Sequence, residues 1–251
     1  MRANRFTDKV AFITGGGQGM GQQLALDMAK EDAKVVVVDI DEASLKETQS
    51  MLDEIGATSL LLPCDMADCE QVEGAINRTV KEFGRLDILV NNAGLLKSAS
   101  IEDTSNELID KTIDINIKGV LYAIRAVTPV MKSQNYGRIV NVSSITGKNG
   151  DNATTFVYGA SKGAVITITR SVARQLGPFG ITCNGLAPHA VMTKMMKYWD
   201  DEKKQAMADK IPVKRLGTVE DMSNLMLFLA SDESSFINGE TVNINGGYYM
   251  D

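Results

Sequence analysis

Cysteine is scarce. Cys64, Cys69 and Cys183 are the three in 251 residues, an odd count in a chain this long. That argues against a disulfide framework. Histidine is scarcer still: His189 stands alone, and there is no Cys-x-x-Cys pair. Without a Cys-x-x-Cys pair or a second histidine, a Cys/His zinc site is not expected. Basic charge is short as well. The chain carries 26 Lys and Arg against 32 Asp and Glu, a formal net charge of −6, with no local Lys/Arg run. A nucleic-acid partner is not expected from such a surface. Long apolar runs are missing: stretches such as Leu225–Ala230 fall far short of the ~20 residues that span a bilayer. The first residues, MRANRFTDKV, contain no apolar stretch of signal-peptide length. The expectation is a cytoplasmic chain in a reducing compartment, with no membrane partner. No linker, low-complexity tract or internal repeat divides it, so residues 1–251 are expected to form a single domain.

What is present is a 44% hydrophobic composition, enough for a sizeable core. Val10–Thr14, Val35–Asp39, Ser59–Pro63, Leu86–Val90, Arg138–Val142 and Ile181–Leu186 are β-branched or Leu-rich and barely alternate with polar residues. Strands of a parallel sheet covered on both faces look like this. Between them lie stretches of helical length: Gln18–Glu31, Glu42–Ile55, Asp68–Phe83, Glu107–Lys132 and Tyr158–Leu176. Gly56 and Gly84 stand where a glycine ends a helix. Repeated β–α alternation predicts an α/β fold, a doubly wound Rossmann-type parallel sheet. Residues 187–212 break the rhythm and hold Met192, Met195, Met196, Tyr198, Trp199 and Met207. They read either as a helical hairpin on the domain or as an apolar lid over a site, and the two readings are compatible.

Two local patterns carry chemistry. The first is Thr14-Gly15-Gly16-Gly17-Gln18-Gly19-Met20-Gly21, placed after a predicted strand and opening a predicted helix. Glycines there let a pyrophosphate approach free N–H groups at the positive end of the helix dipole. Asp39 ends the next strand, where a carboxylate can accept hydrogen bonds from an adenosine ribose diol. It would repel a 2′-phosphate: two unit charges ~4 Å apart at an effective dielectric of ~20 interact by about 4 kcal/mol. The expected cofactor is NAD rather than NADP. The plain alternative for Asp39, capping the next helix, is compatible with this.

The second pattern is Tyr158-Gly159-Ala160-Ser161-Lys162. Tyr and Lys at i and i+4 share one helix face. An ammonium beside a phenol favours the phenolate, so a lowered Tyr158 pKa is expected. That would fit the phenol for proton transfer near neutral pH.

The order of motifs is TGGGQGMG, Asp39, Cys64-Asp65-Met66, Asn91-Asn92-Ala93-Gly94, Asn116, Ser143-Ser144-Ile145-Thr146-Gly147, YGASK and Asn243-Ile244-Asn245-Gly246-Gly247. This resembles the short-chain dehydrogenase/reductase family, in its single-domain branch, over essentially the whole chain. The resemblance implies a general acid/base at Tyr158, with Ser144 hydrogen-bonding the same substrate oxygen. Ser143 is the rival, and the spacing of Ser144 from Gly147 favours Ser144. It further implies that Lys162 holds the nicotinamide ribose and that Asn116 positions a water for proton relay. Taken alone, Asn116 reads as a structural or solvated helix residue. Cofactor contacts implied are Gly15, Gln18, Gly19, Met20, Gly21, Asp39, Asp65, Met66, Asn92, Tyr158, Lys162, Val191 and Thr193. The family usually forms tetramers or dimers, and Glu107–Lys132 and Tyr158–Leu176 are plausible interface helices.

Two departures stand out. Ser144 and Tyr158 lie one residue further apart than in much of the branch, with the polar Lys148-Asn149-Gly150-Asp151-Asn152 between them. Where the family usually has Pro-Gly after the sixth strand, this chain has Pro188-His189. His189 either packs away from the site or touches substrate, and it is not expected to be the proton donor. The leading expectation is an NAD(H)-dependent enzyme for a secondary alcohol and its ketone, on a bulky apolar, hydroxysteroid-like substrate. The alternative is a 3-oxoacyl-(acyl-carrier-protein) reductase. Relatives of that kind have basic residues where this chain has Asn135 and Phe179. A sugar or polyol dehydrogenase and a non-catalytic dinucleotide sensor are further alternatives.

Overall fold

The computed structural model describes residues 4–150, 156–193 and 199–251. Strands β1 (Val10–Thr14), β2 (Lys34–Asp39), β3 (Ser59–Pro63), β4 (Ile88–Asn91), β5 (Gly137–Val142), β6 (Ile181–Pro188) and β7 (Thr241–Ile244) form one seven-stranded sheet in the order β3-β2-β1-β4-β5-β6-β7. All pairings are parallel. The helices are α1 (Gly19–Ala29), α2 (Glu42–Glu54), α3 (Cys69–Phe83), α4 (Asn106–Ile113), α5 (Gly119–Gln134), the short α6 (Thr146–Asn149), α7 (Phe156–Leu176), α8 (Asp201–Lys210) and α9 (Val219–Ala230).

The unalternating strand sequences have a direct cause. In β1, Ala11 and Ile13 enter one apolar core with Leu24, Leu45, Leu52 and Met226 of α1, α2 and α9. Val10 and Phe12 enter the opposite core with Val72, Ile76, Val127 and Val165 of α3, α5 and α7. Both faces need apolar side chains, so period-2 alternation disappears. The strand order reverses between β1 and β4. The crevice at their carboxyl ends is where such folds take ligands.

Most expected elements stand within a residue or two of their predicted limits, and the differences are local. The predicted helix over Glu107–Lys132 is interrupted by a π-helical turn, Asp114–Lys118, between α4 and α5. Strand β7 and helix α9 lie beyond the strands and helices read from the sequence. Asp39 does not cap α2: the Asp41 side chain does, accepting from the Ala43 N–H. Gly84 ends α3 in the left-handed conformation at φ 75°. In the 187–212 segment, Met195, Met196 and Tyr198 lie outside the described residues. Met207 packs on Ala208, Ile211 and Leu216, and the Lys203 ammonium sits 4.4 Å from the Trp199 ring centre.

Candidate active site

The glycine loop is shaped by close approaches. Gly15 has φ +62°, and a Cβ on it would come within 2.7 Å of the Ala93 Cα. A Cβ on Gly21 would lie 2.5 Å from the Gly15 carbonyl oxygen. Thr14 and Asn92 lock this loop to the end of β4. The Thr14 hydroxyl accepts from the N–H groups of Asn92 and Ala93, each at 3.0 Å. The Asn92 amide donates to the carbonyls of Thr14 and Gly15 at 3.0 and 2.8 Å. Asn92 thus holds the loop in shape, and its buried Oδ1 has no hydrogen-bond partner.

The start of α1 differs from that of its neighbours. Helices α2, α3, α4, α8 and α9 each have a side-chain cap. Helix α1 has Gln18 at that position with no side-chain cap bond and no acidic residue in the first turn. Uncapped N–H groups at a positive helix end suit an anion. Gly19 has φ +60°, and Thr193 from the loop after β6 lies 3.7 Å from where its Cβ would be. Val191 is held in that loop by a parallel bridge to Gly217. Met20 is partly buried against the core.

Asp39 closes this end of the crevice. Its Oδ2 accepts from the Gly17 N–H at 3.0 Å and its Oδ1 from the Asp41 N–H at 3.1 Å. The carboxylate is half-buried and fixed beside the loop, with the exposed Ile40 after it. Asp65 accepts from the Ala67 N–H, and Met66 is buried in the core. A dinucleotide fits this edge on four counts: the glycine cradle, the uncapped helix start, the orphaned Asn92 oxygen and the fixed carboxylate.

A second group of side chains gathers beyond β4 and β5. The two candidate serines separate by their partners. Ser143 donates its hydroxyl to the Lys162 carbonyl at 2.8 Å, which commits it to structure. Ser144 hydrogen-bonds the Tyr158 side chain and accepts from the Thr146 N–H at 3.2 Å. Lys162 is buried, donates to the Val142 carbonyl at 2.8 Å, and has its Nζ 5.8 Å from the Tyr158 ring centre. Asn116 is wholly buried in the π-helical turn. Its amide accepts from the Leu95 N–H at 2.7 Å and donates to the Leu95 carbonyl and the Ser161 hydroxyl, both at 3.0 Å. A Cβ on Gly94 would meet the Lys162 Nζ at 3.3 Å and the Asn116 Oδ1 at 3.5 Å. Ser144, Tyr158, Lys162 and Asn116 therefore converge.

The expected lowering of the Tyr158 pKa is corrected here. Burial pushes the phenol above its usual value, and the Ser144 hydrogen bond pulls down only in part. Burial also drives the Lys162 ammonium down, to about 8. Desolvation penalises the charged form of both groups.

The sequence reading passed over several residues that build the site. Thr14 and Ser161 were inside the quoted motifs and carried a signal. Leu95 carried none, because it acts through its backbone. His189 lies face to face with Tyr248, ring centres 3.9 Å apart at 17°. Of the polar loop, Asp151 and Asn152 lie outside the described residues.

Several known proteins resemble this chain over nearly its full length. A family model described as enoyl-(acyl carrier protein) reductase matches residues 15–249. The chain is 38% identical over 246 residues to a 3-oxoacyl-(acyl-carrier-protein) reductase of Staphylococcus aureus, covering 96% of this chain and 98% of that protein. It is 36% identical over 240 residues to the (2S)-((R)-hydroxy(phenyl)methyl)succinyl-CoA dehydrogenase subunit BbsD of Thauera aromatica, covering 96% of each. A crystal structure of levodione reductase superposes with a TM-score of 0.92 at 34% identity, covering 96% of this chain and 98% of that one.

Proposed function

The chain belongs to the short-chain dehydrogenase/reductase family, and from that premise we propose that it is an NAD(H)-dependent oxidoreductase that interconverts a secondary alcohol and a ketone. The observation that carries the reading is the convergence of Tyr158, Ser144 and Lys162 beside a dinucleotide cradle. The nicotinamide, when bound, supplies or takes the hydride. Gly15, Gln18, Gly19, Met20, Gly21, Asp39, Asp65, Met66, Asn92, Val191 and Thr193 would hold the dinucleotide, with Tyr158 and Lys162 at its nicotinamide end.

The chain's own groups then handle one oxygen atom. Tyr158 gives its phenolic proton to the substrate oxygen in reduction and takes it back in oxidation. Ser144, already bonded to Tyr158, donates to the same oxygen and stabilises negative charge developing there. Lys162 places a cation behind the phenol as it turns into phenolate. Asn116 keeps the Leu95 backbone and Ser161 in register and would position a water for proton relay. His189 bounds the site without taking part in proton transfer.

NAD is favoured over NADP because the Asp39 carboxylate is fixed by two backbone N–H groups. The followers, Ile40 and Asp41, bring no positive charge. A bulky apolar ketone suits the exposed Met192 on the loop after β6. The same reading takes the enzyme as a homo-oligomer, since Leu121 of α5 and Phe156 of α7 leave large apolar side chains exposed.

A second reading, reduction of a 3-oxoacyl group on an acidic carrier protein, is supported by the named relatives and by one contact. Asn135 and Phe179 are uncharged, yet the Lys132 ammonium lies 4.2 Å from the Phe179 ring centre and brings a cation to that surface.

The test is dinucleotide oxidation with ketones graded from small and polar to rigid and steroidal, using NADH and NADPH in parallel. NADH should be preferred at least about ten-fold in kcat/KM, and Asp39→Ser should erode that preference. A wild-type preference for NADPH, or turnover of 3-oxoacyl thioesters alone, would refute the leading reading.

A further inference from the structure

Strand β7 does not simply run out. Gly246 and Gly247 both adopt the left-handed conformation, at φ +64° and +85°. The Asn245 side chain staples the resulting turn, accepting from the Gly247 N–H and donating to the Tyr249 carbonyl, each at 2.9 Å. A Cβ on Gly246 would lie 2.6 Å from both Ile211 and Val213. The chain is thus turned sharply against the segment that follows α8.

The turn delivers two side chains onto the two loops that flank the candidate site. The Tyr248 ring stacks on His189. His189 follows Pro188, whose carbonyl accepts from the Ile145 N–H at 3.0 Å. The Asp251 carboxylate pairs with the Lys148 ammonium at 2.9 Å and accepts from the Asn243 amide at 2.6 Å. Lys148 belongs to α6, which starts two residues after Ser144. Its ammonium also donates to the Thr241 carbonyl of β7 at 2.9 Å, and its side chain is only 9% exposed. One short segment therefore grips the Ser144 loop through Lys148 and the Val191 loop through His189. His189 also lines a cleft of about 210 Å³ shared with Ala190, Gly217, Asn245 and Gly246. The Tyr248 stack is one restraint on the imidazole.

We infer that the segment Asn245–Asp251 positions the substrate side of the site, with Tyr248 clamping His189 and Asp251 clamping Lys148. The inference rests on the proposed function only for its kinetic consequence. Tyr248, Asp251, Lys148 and His189 are positioning residues. Without the clamps, the loops carrying Ser144 and Val191 vary in separation. Discrimination between ketones by size then falls, while the dinucleotide cradle is untouched. The presence of His189 where the family usually has glycine fits this account, because a glycine offers no ring for Tyr248 to grip.

The test uses the full chain with Tyr248→Ala, Tyr248→Phe, Asp251→Ala and Asp251→Asn, read by hydrogen exchange and by kinetics. Tyr248→Ala should speed amide exchange in residues 186–193, and Asp251→Ala in residues 144–150. Both should raise KM for the best ketone by about three- to ten-fold and flatten the size preference. The dissociation constant for NADH should stay within about two-fold. Tyr248→Phe keeps the stack and should restore wild-type behaviour, whereas Asp251→Asn loses the charge and should not. If Tyr248→Ala fails to fold, Tyr248→Leu replaces it, keeping apolar bulk without a ring. Unchanged exchange in both loops would overturn the inference, as would faster exchange with unchanged KM and size preference. Should the wild-type chain turn over no ketone, the proposed function fails, and exchange alone still decides whether the segment holds the loops.

Discussion

At Lys162, burial and charge pull in opposite directions. The side chain sits 4% exposed with one carbonyl for its ammonium to donate to, and burial lowers its pKa from 10.5 to about 8. The consequence for stability has a definite sign. Below about pH 8 the lysine is charged in both states, and the folded protein bears the full cost of burying it. Between about 8 and 10.5 the unfolded chain binds more protons than the folded one, so this cost fades and stability rises with pH. Lys162→Met removes the charge at similar volume, which in buried sites is often neutral or stabilising. Denaturant unfolding at pH 7 should therefore show Lys162→Met as stable as the wild type or more so. The wild type should gain on it as pH rises towards 10. Turnover of the variant should fall by at least about 100-fold. A variant both unstable and active would reverse the account of this residue. The same scale shows what the sequence could reveal. The i, i+4 spacing of Tyr158 and Lys162 identified the pair, and the Gly147 spacing favoured Ser144 over Ser143. The direction of the Tyr158 pKa shift was not legible, because desolvation depends on everything packed around the ring. The tie between His189 and Tyr248 was equally hidden, because it joins residues far apart in the chain.

Elements were legible where their local pattern was strong. Gly84 ends helix α3 as read, whereas Asp68, read as its first residue, caps it by accepting from the Glu70 and Gln71 N–H groups. Helix α9 was passed over although it carries a full capping box: Thr218 accepts from the Asp221 N–H, and Asp221 accepts from the Thr218 N–H. Its apolar stretch, Leu225–Ala230, is far shorter than a bilayer requires. Among the described residues, no helix is long and apolar enough to cross a membrane. Thr218→Ala should lower unfolding free energy by about 1 kcal/mol with kcat unchanged, measured by denaturant titration. A loss under about 0.3 kcal/mol would mean that Asp221 or water replaces the cap. The π-helical turn at Asp114–Lys118 was out of reach for a different reason. Its sequence continues a helical pattern, and the bonds that accompany the turn, from Asn116 to the Leu95 carbonyl and the Ser161 hydroxyl, are to residues far off in the chain.

At the scale of the molecule, β–α alternation and doubly apolar strands led to the parallel sheet. They did not order it. The arrangement β3-β2-β1-β4-β5-β6-β7 brings the glycine loop after β1 beside Asn92 after β4, and Ser144 after β5 beside the loop after β6. Dinucleotide cradle and proton-transfer group thereby share one edge of the sheet. The central claim is that the Tyr158 hydroxyl moves a proton there, beside the dinucleotide cradle. It is tested most directly by Tyr158→Phe, with steady-state turnover of the best ketone and NADH binding measured on the same preparation. The account predicts a loss of turnover of about 100- to 10,000-fold, with NADH affinity within about two-fold of wild type, since one hydroxyl is removed and the ring stays. Turnover retained within a few-fold would contradict it.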